Sequence, residues 1–139
     1  MHLSPNFTKE EFKHWFLPRN KVVYSYVIEH PESKKITDFM SFYSLPSTVM
    51  TTDKHDTLFA CYSFYNVVSN EKDWKPVMND MLVAARNAGF DVYNALESMD
   101  NMQFLKDLKF GPGDGECRKF FKKNYQFWVS VKIFKNISA

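Results

Sequence analysis

The fold class of this chain is decided by residues 73–96, DWKPVMNDMLVAARNAGFDVYNAL. Apolar residues recur at helical spacing through most of this stretch, with Pro76 in the first turn and Gly89 just past the end. The apolar run 91–96 then predicts a short buried strand. Residues 58–68 (LFACYSFYNVV), on the other side of the helix, also predict a strand. A strand, a helix and a second strand in this order indicate a crossover that pairs the two strands in parallel.

The segments on either side of this unit complete the fold prediction. Residues 22–29 and 36–45 alternate in the manner of strands around a polar turn, and they predict an antiparallel pair. Residues 101–108 predict a short helix, and residues 120–134 predict one or two final strands. The expected fold is therefore α+β, with a mixed, largely antiparallel sheet and flanking helices.

A helix is also predicted near the start of the chain. Thr8 and Glu11 have the spacing of a capping box, in which each side chain satisfies the other's backbone N–H. Pro18 is expected to end this helix. Three aromatic residues recur at helical spacing and predict its apolar face: Phe12, Trp15 and Phe16.

Composition narrows the class of protein. The chain has 139 residues, of which 45% are hydrophobic and 14 are Phe, enough for the core of one domain. It has no apolar run of the roughly 18 residues that a membrane-spanning helix needs, and its start lacks the pattern of a signal peptide. Cys61 and Cys117 do not form a disulfide framework. These features predict a cytoplasmic location and no transmembrane segment.

Charge and histidine patterns exclude two further classes. Residues 116–139 carry six basic side chains against Glu116 alone, which favours a protected strand edge or a loose terminus over an anion-binding segment. The aromatics among them lack the motifs of nucleic-acid-binding modules, so no nucleic-acid partner is predicted. The histidines have no metal-ligand spacing, so no metal site is predicted.

Several candidate residues have ordinary structural interpretations on local sequence alone. The glycine run 111–115 is typical of a turn, because no Lys-Ser/Thr pair follows it as in a phosphate loop. Asn94 in an apolar strand is typical of a hydrogen-bonded structural amide. Tyr62 is typical of a core aromatic, and Ser47 of a turn hydroxyl. No His-Asp pair accompanies Ser47, which excludes a hydrolase triad.

Four segments, however, together resemble one known family. They are 38–48 (DFMSFYSLPST), 62–67 (YSFYNV), 89–96 (GFDVYNAL) and 110–115 (FGPGDG). In order and spacing they resemble the C-terminal half of eukaryotic N-myristoyltransferase. The resemblance implies transfer of a tetradecanoyl chain from coenzyme A to an N-terminal glycine. It also implies that residues 1–139 form a single partial domain of acetyltransferase-like fold. The acyl-CoA-binding half of the family would precede this domain.

The resemblance assigns roles to particular residues. It implies that this portion binds no cofactor itself, that myristoyl-CoA is the co-substrate of the full enzyme, and that the partners are glycine-starting peptides and the N-terminal half. The residues it places against the peptide are Ser47, Tyr62, Asn94, Leu96, Asp114 and Gly115.

The catalytic base implied by the family is the enzyme's own C-terminal carboxylate, which here belongs to Ala139. Residues 116–139 diverge from the family's aromatic strand and apolar ending. That divergence leaves open a non-catalytic truncated form that binds peptides or regulates. A small acetyltransferase-like enzyme using a short acyl-CoA is a third hypothesis, against which the lack of a pyrophosphate loop counts.

Overall fold

The computed structural model describes residues 5–48, 57–70, 73–96, 101–112 and 128–132 of the chain. Within these ranges the chain forms three helices and eight strands. The helices are α1 (Lys9–Phe16), α2 (Trp74–Asn87) and α3 (Met102–Leu105). The strands are β1 (Val23–Glu29), β2 (Ile36–Ser44), β3 (Ser47–Thr48), β4 (Thr57–Leu58), β5 (Ala60–Val67), β6 (Val92–Leu96), β7 (Gly111–Pro112) and β8 (Trp128–Lys132).

One sheet organises the described part of the chain. Its six strands lie in the order β1-β2-β5-β6-β8-β7, and β3 and β4 pair with each other separately. β5 and β6 are parallel, as the crossover pattern predicted, and α2 connects them along the chain. The other described pairs are antiparallel. The predicted α+β fold with a mixed, largely antiparallel sheet is confirmed.

α1 begins with the predicted capping box. The Glu11 N–H donates to Thr8 Oγ1 at 3.2 Å, and the Thr8 N–H donates to Glu11 Oε2 at 2.8 Å. The helix ends at Phe16, just before Leu17 and Pro18. Of its predicted apolar face only Phe16 is fully buried. The Phe12 and Trp15 side chains are 43% and 49% exposed.

α2 and α3 cover one face of the sheet, which we call the core face. A helix that packs on a sheet turns one stripe of apolar side chains toward it. In α2 this stripe contains Met78 and Met81. None of the helices in the described ranges is both long and apolar enough to cross a membrane. The buried cluster between the helices and the sheet consists of Met40, Phe42, Cys61, Trp74, Val77, Met78, Met81, Ala85, Phe90, Tyr93, Ala95, Phe104 and Leu105.

The end of α2 sets the start of β6. Gly89 has a φ of 92°, in the left-handed region that favours glycine, and its N–H donates to the Arg86 carbonyl at 3.0 Å. The Phe90 N–H donates to the Ala85 carbonyl at 3.1 Å. This turn reverses the chain so that Phe90 enters the core and β6 begins two residues later.

The other face of the sheet, which we call the open face, carries α1 at one side. Phe16 of α1 contacts the rings of Phe39 and Phe64 at 5.4 and 5.2 Å between centroids. These contacts place α1 over β2 and β5. The rest of the open face lies toward β6. The candidate site lies there.

Candidate functional site

A row of residues crosses the sheet at one level. Tyr43 of β2 pairs with Tyr62 of β5, and Tyr62 pairs with Asn94 of β6. The same ladder continues from Asn94 to Ser130 of β8 and from Ser130 to Gly111 of β7. Directly paired residues of neighbouring strands point to the same side of a sheet. The side chains of Tyr43, Tyr62 and Asn94 therefore share a face.

That face is the open one. Tyr62 lies between Cys61 and Ser63, and Asn94 lies between Tyr93 and Ala95, all of which are buried on the core side. Side chains alternate along a strand, so Tyr62 and Asn94 point away from α2. Both are only partly buried. The row thus offers a polar and aromatic surface on the side of the sheet opposite the described core.

The aromatic end of the row is well ordered by stacking. The rings of Tyr43 and Tyr62 lie 5.5 Å apart with an interplanar angle of 17°. Offset stacking of this kind adds about 1 kcal/mol beyond burial. Burial, and to a smaller degree the neighbouring Tyr62, raises the pKa of the Tyr43 phenol. Tyr43 therefore stays neutral at physiological pH and can only donate or accept a hydrogen bond.

Asn94 forms the polar end of the row. Its Nδ2 donates to the Cys61 carbonyl at 3.4 Å, which ties the side chain to β5. Among the described residues its Oδ1 has no hydrogen-bond partner. An amide oxygen held in this way is an acceptor for an N–H donor of a bound molecule. Asn94 is thus partly a structural amide, as its strand context predicted, and partly an available acceptor.

The start of β5 is clamped to the start of β6. The Asp91 N–H donates to the Phe59 carbonyl at 2.7 Å, and the Phe59 N–H donates to Asp91 Oδ2 at 3.1 Å. This reciprocal pair fixes the parallel register in which Tyr62 meets Asn94. The Asp91 carboxylate therefore helps to hold Tyr62 opposite Asn94 through its hydrogen bond to the β5 backbone.

The other predicted site residues are distributed around this row. Leu96 lies two positions after Asn94 on the same strand and is partly buried. Ser47 is exposed in β3, opposite Leu58 of β4. The Leu45 N–H donates to the Ala60 carbonyl at 3.0 Å, so the β3–β4 pair continues the β2–β5 ladder. Ser47 consequently lies toward the end of the sheet where β5 and β6 begin.

Three predicted site residues, Asp114, Gly115 and Ala139, lie outside the described residues. The glycine run that contains two of them starts at Gly111, the last member of the row. Tyr43 was not among the predicted site residues. Its place depends on the β2–β5 register, which strand alternation alone does not give.

Two other kinds of site find no support in the described ranges. Cys61 is fully buried, and burial raises the pKa of its thiol, so the thiolate needed for nucleophilic attack is not formed. No group of three or more potential metal ligands comes together among the residues that the structure describes. The row Tyr43–Tyr62–Asn94 can instead bind a ligand through its aromatic and amide groups.

The sequence matches, over residues 1–137, the family described as "Myristoyl-CoA:protein N-myristoyltransferase, C-terminal domain". The chain belongs to the N-myristoyltransferase family. The resemblance inferred from its four segments is thereby confirmed. The N-myristoyltransferase match covers almost the whole chain, including most of the divergent segment 116–139.

Curated N-myristoyltransferases are similar in sequence. Glycylpeptide N-tetradecanoyltransferase 1 of Arabidopsis thaliana is 45% identical over 130 residues, covering 94% of this chain and 30% of that protein. The Drosophila melanogaster glycylpeptide N-tetradecanoyltransferase is 48% identical over 118 residues, covering 85% of this chain and 25% of that protein. This chain therefore spans less than a third of the length of these relatives.

A solved structure supports the same assignment. Saccharomyces cerevisiae N-myristoyltransferase with bound myristoyl-CoA superposes with a TM-score of 0.72 at 36% identity, covering 91% of this chain and 32% of that one. The described fold is thus that of the corresponding third of an N-myristoyltransferase.

Proposed function

We propose that this chain is the peptide-binding portion of a glycylpeptide N-tetradecanoyltransferase. In this proposal the full enzyme transfers the tetradecanoyl group of myristoyl-CoA to the N-terminal glycine of a protein in the cytoplasm. The observation that carries the proposal is the row Tyr43–Tyr62–Asn94 on the open face of a chain that belongs to this family. An extended peptide laid along such a row meets apolar rings and an amide acceptor together.

The proposed reaction joins an amine to a thioester. The neutral glycine nitrogen attacks the thioester carbonyl carbon, a C–N bond forms, the C–S bond breaks, and coenzyme A leaves as the thiol. A base must first take a proton from the glycine ammonium, because the ammonium has no lone pair. The oxyanion needs hydrogen-bond donors, which we assign together with the acyl-CoA site to the preceding half of the enzyme.

Each site residue has a role within this proposal. The Asn94 oxygen accepts a hydrogen bond from a peptide N–H, and the Ser47 hydroxyl bonds the peptide beyond it. Tyr62 and Leu96 form the apolar wall. Asp114 attracts the substrate ammonium, and Gly115 leaves room for the peptide backbone to approach. The terminal carboxylate of Ala139 is the proposed base.

The proposal is tested by titrating the full chain with two peptides that differ at the amino terminus. One begins with a free glycine, and its matched control carries an N-acetyl group on that glycine. We expect the free peptide to shift the NMR signals of the Asn94 side-chain amide and the Tyr62 ring, and the acetylated peptide to bind more weakly. Equal binding of both, or shifts confined to the core face, would contradict the proposal.

The alternative of a non-catalytic peptide-binding protein shares this binding result, so transfer must be measured separately. If glycine-peptide binding persisted while no enzyme containing this portion could transfer the acyl group, the alternative would replace the proposed function. The role of Ala139 would then be lost, whereas the roles of Tyr62 and Asn94 would remain.

A further inference from the structure

β5 contains a β-bulge immediately after Ser63. Met40 pairs with Asn66 and Phe42 pairs with Ser63, so two steps along β2 correspond to three steps along β5. The extra residue of a bulge has no partner in the ladder, and the strand bends and twists there. Bulges often re-aim side chains beside functional sites. This one begins two residues after Tyr62, which belongs to the proposed wall of the peptide site.

Ser41 satisfies the backbone that the bulge leaves unpaired. Its Oγ donates to the Tyr65 carbonyl at 2.8 Å and accepts from the Tyr65 N–H at 3.0 Å. The Ser41 N–H donates to Asn66 Oδ1 at 3.2 Å, and Asn66 Nδ2 donates to Ser63 Oγ at 2.7 Å. Ser41 itself is fully buried. A single hydroxyl therefore replaces the two ladder bonds that Tyr65 lacks.

The bulge changes which way the aromatic side chains of β5 point. In a regular strand Phe64 and Tyr65 would lie on opposite faces. Here both rings contact Phe16 of α1, at 5.2 and 5.6 Å between centroids. Consecutive aromatic residues thus lie on the open face together.

A continuous set of ring contacts leads from the bulge to the site. Phe64 contacts Tyr43 at 5.5 Å, and Tyr43 stacks on Tyr62 at 5.5 Å. If the bulge relaxed, Tyr65, which packs on Phe64 at 4.9 Å between centroids, would turn to the core face. The Phe64 ring that contacts Tyr43 would then lose its support. The position of the Tyr62 ring then depends on a hydroxyl that touches neither Tyr62 nor the peptide.

We propose that Ser41 is a positioning residue for the peptide site, acting through the β5 bulge and Phe64 on Tyr43 and Tyr62. This inference rests on the proposed function for its biological meaning, but the positioning of Tyr62 can be measured without any peptide. Asn66 supports the same geometry from the other side of the bulge.

The chain offers a matched control for the test. Ser25 of β1 lies directly opposite Ser41, and its buried hydroxyl has no hydrogen-bond partner among the described residues. Ser25→Ala and Ser41→Ala therefore remove the same group from neighbouring sites, and only the second removes the bulge bonds. Asn66→Ala is a milder second variant, should Ser41→Ala fail to fold.

The experiment records NMR spectra of the full chain with isotope-labelled tyrosine rings, and then titrates it with the glycine-starting peptide. Ser41→Ala or Asn66→Ala is expected to shift the Tyr43 and Tyr62 ring signals and to weaken peptide binding by about tenfold. Ser25→Ala should change neither, and Ser41→Thr, which keeps a hydroxyl, should restore part of the affinity.

The outcomes separate the inference from the proposed function. Shifted ring signals in a chain whose wild-type form binds no peptide would support positioning by Ser41 and contradict the proposed function. Unchanged Tyr43 and Tyr62 signals in a folded Ser41→Ala or Asn66→Ala chain would overturn the inference. Ring shifts of equal size in Ser25→Ala would overturn it as well.

Discussion

Asn94 is the residue whose chemistry most directly connects the fold to the proposed peptide binding. Its Nδ2 is held by the Cys61 carbonyl, which leaves the oxygen as an acceptor at the level of the Tyr43–Tyr62 stack. Orientation by one hydrogen bond reduces the conformational entropy lost when a ligand forms another. A side chain oriented in this way can accept a hydrogen bond from the backbone of an extended peptide.

We expect Asn94→Ala to weaken binding of the glycine-starting peptide by about five- to tenfold, because a net hydrogen bond contributes about 1 kcal/mol. Isothermal titration calorimetry on the full chain measures the change. Asn87→Ala, at an exposed position of α2, is the matched control and should bind like the unchanged chain. Unaltered affinity in Asn94→Ala would remove this residue from the site.

Asp38 is a second residue with a testable role, because its carboxyl couples pH to the free energy of unfolding. Burial alone would raise the pKa of its carboxyl, but hydrogen bonds from Thr37 and Ser69 outweigh burial and leave the pKa below its ordinary value. A depressed folded-state pKa contributes stability above the unfolded pKa of about 3.9. That contribution is lost as pH falls through the lower, folded value.

Chemical denaturation at a series of pH values tests this linkage. The free energy of unfolding should fall as pH drops below about 4, and Asp38→Asn should make that fall shallower. Asp80→Asn, at an exposed position of α2, serves as the control. A pH profile that is identical for Asp38→Asn and the unchanged chain would refute the assignment.

Among the elements, the boundaries of the main strands and of α2 could be predicted closely from sequence. Alternation over 22–29 and 36–45 gave the hairpin observed as β1 and β2, and helical periodicity ending at Gly89 gave α2. These patterns are local, because each apolar position depends on which face of its own helix or strand is buried. Local patterns, however, do not specify which strand residues face each other.

The candidate site was predictable only in part for this reason. Asn94 and Tyr62 were proposed from the family resemblance, and their adjacency follows from a β5–β6 register that the sequence does not state. The bulge was not predicted, although the adjacent Phe64 and Tyr65 interrupt the alternation of YSFYNV. The hydrogen bonds of the bulged residue Tyr65 come from Ser41, more than twenty residues away in the chain.

The α2–β6 turn makes an element-scale prediction. Gly89→Ala should destabilise the chain by about 1 kcal/mol, because a residue with a Cβ is strained at a φ of 92°. No neighbouring atom lies within 4 Å of the added Cβ, so the cost comes from the backbone conformation and not from a clash. Gly111→Ala is the control, since Gly111 has equal room and no positive φ. Thermal unfolding compares the two. Equal melting temperatures would show that backbone strain at Gly89 is negligible.

At the scale of the whole molecule, β1 is the edge of the described sheet. Its first residue, Val23, exchanges backbone hydrogen bonds with Arg19, which blocks that end of the edge. Farther along, Tyr26, Val27 and Ile28 are 41%, 52% and 42% exposed. Exposed apolar strand edges promote association. We therefore expect the chain to self-associate.

Sedimentation velocity over a range of concentrations tests this expectation. Val27→Lys should shift the distribution toward the monomer, because a charge on the edge opposes strand pairing. Val83→Lys on α2, where the native side chain is 47% exposed, should leave association unchanged. A monomeric unchanged chain at all concentrations would contradict the expectation.

In the function that we propose, this chain supplies the peptide-binding portion of an acyltransferase whose acyl-CoA site lies elsewhere. The most direct test is a mass-spectrometric transfer assay with myristoyl-CoA and a glycine-starting peptide. It compares the chain alone with a chimera in which the chain replaces the matching portion of the Arabidopsis relative. We expect no mass gain with the chain alone and the gain of one tetradecanoyl group with the chimera. Transfer by the chain alone, or an inactive but folded chimera, would contradict it.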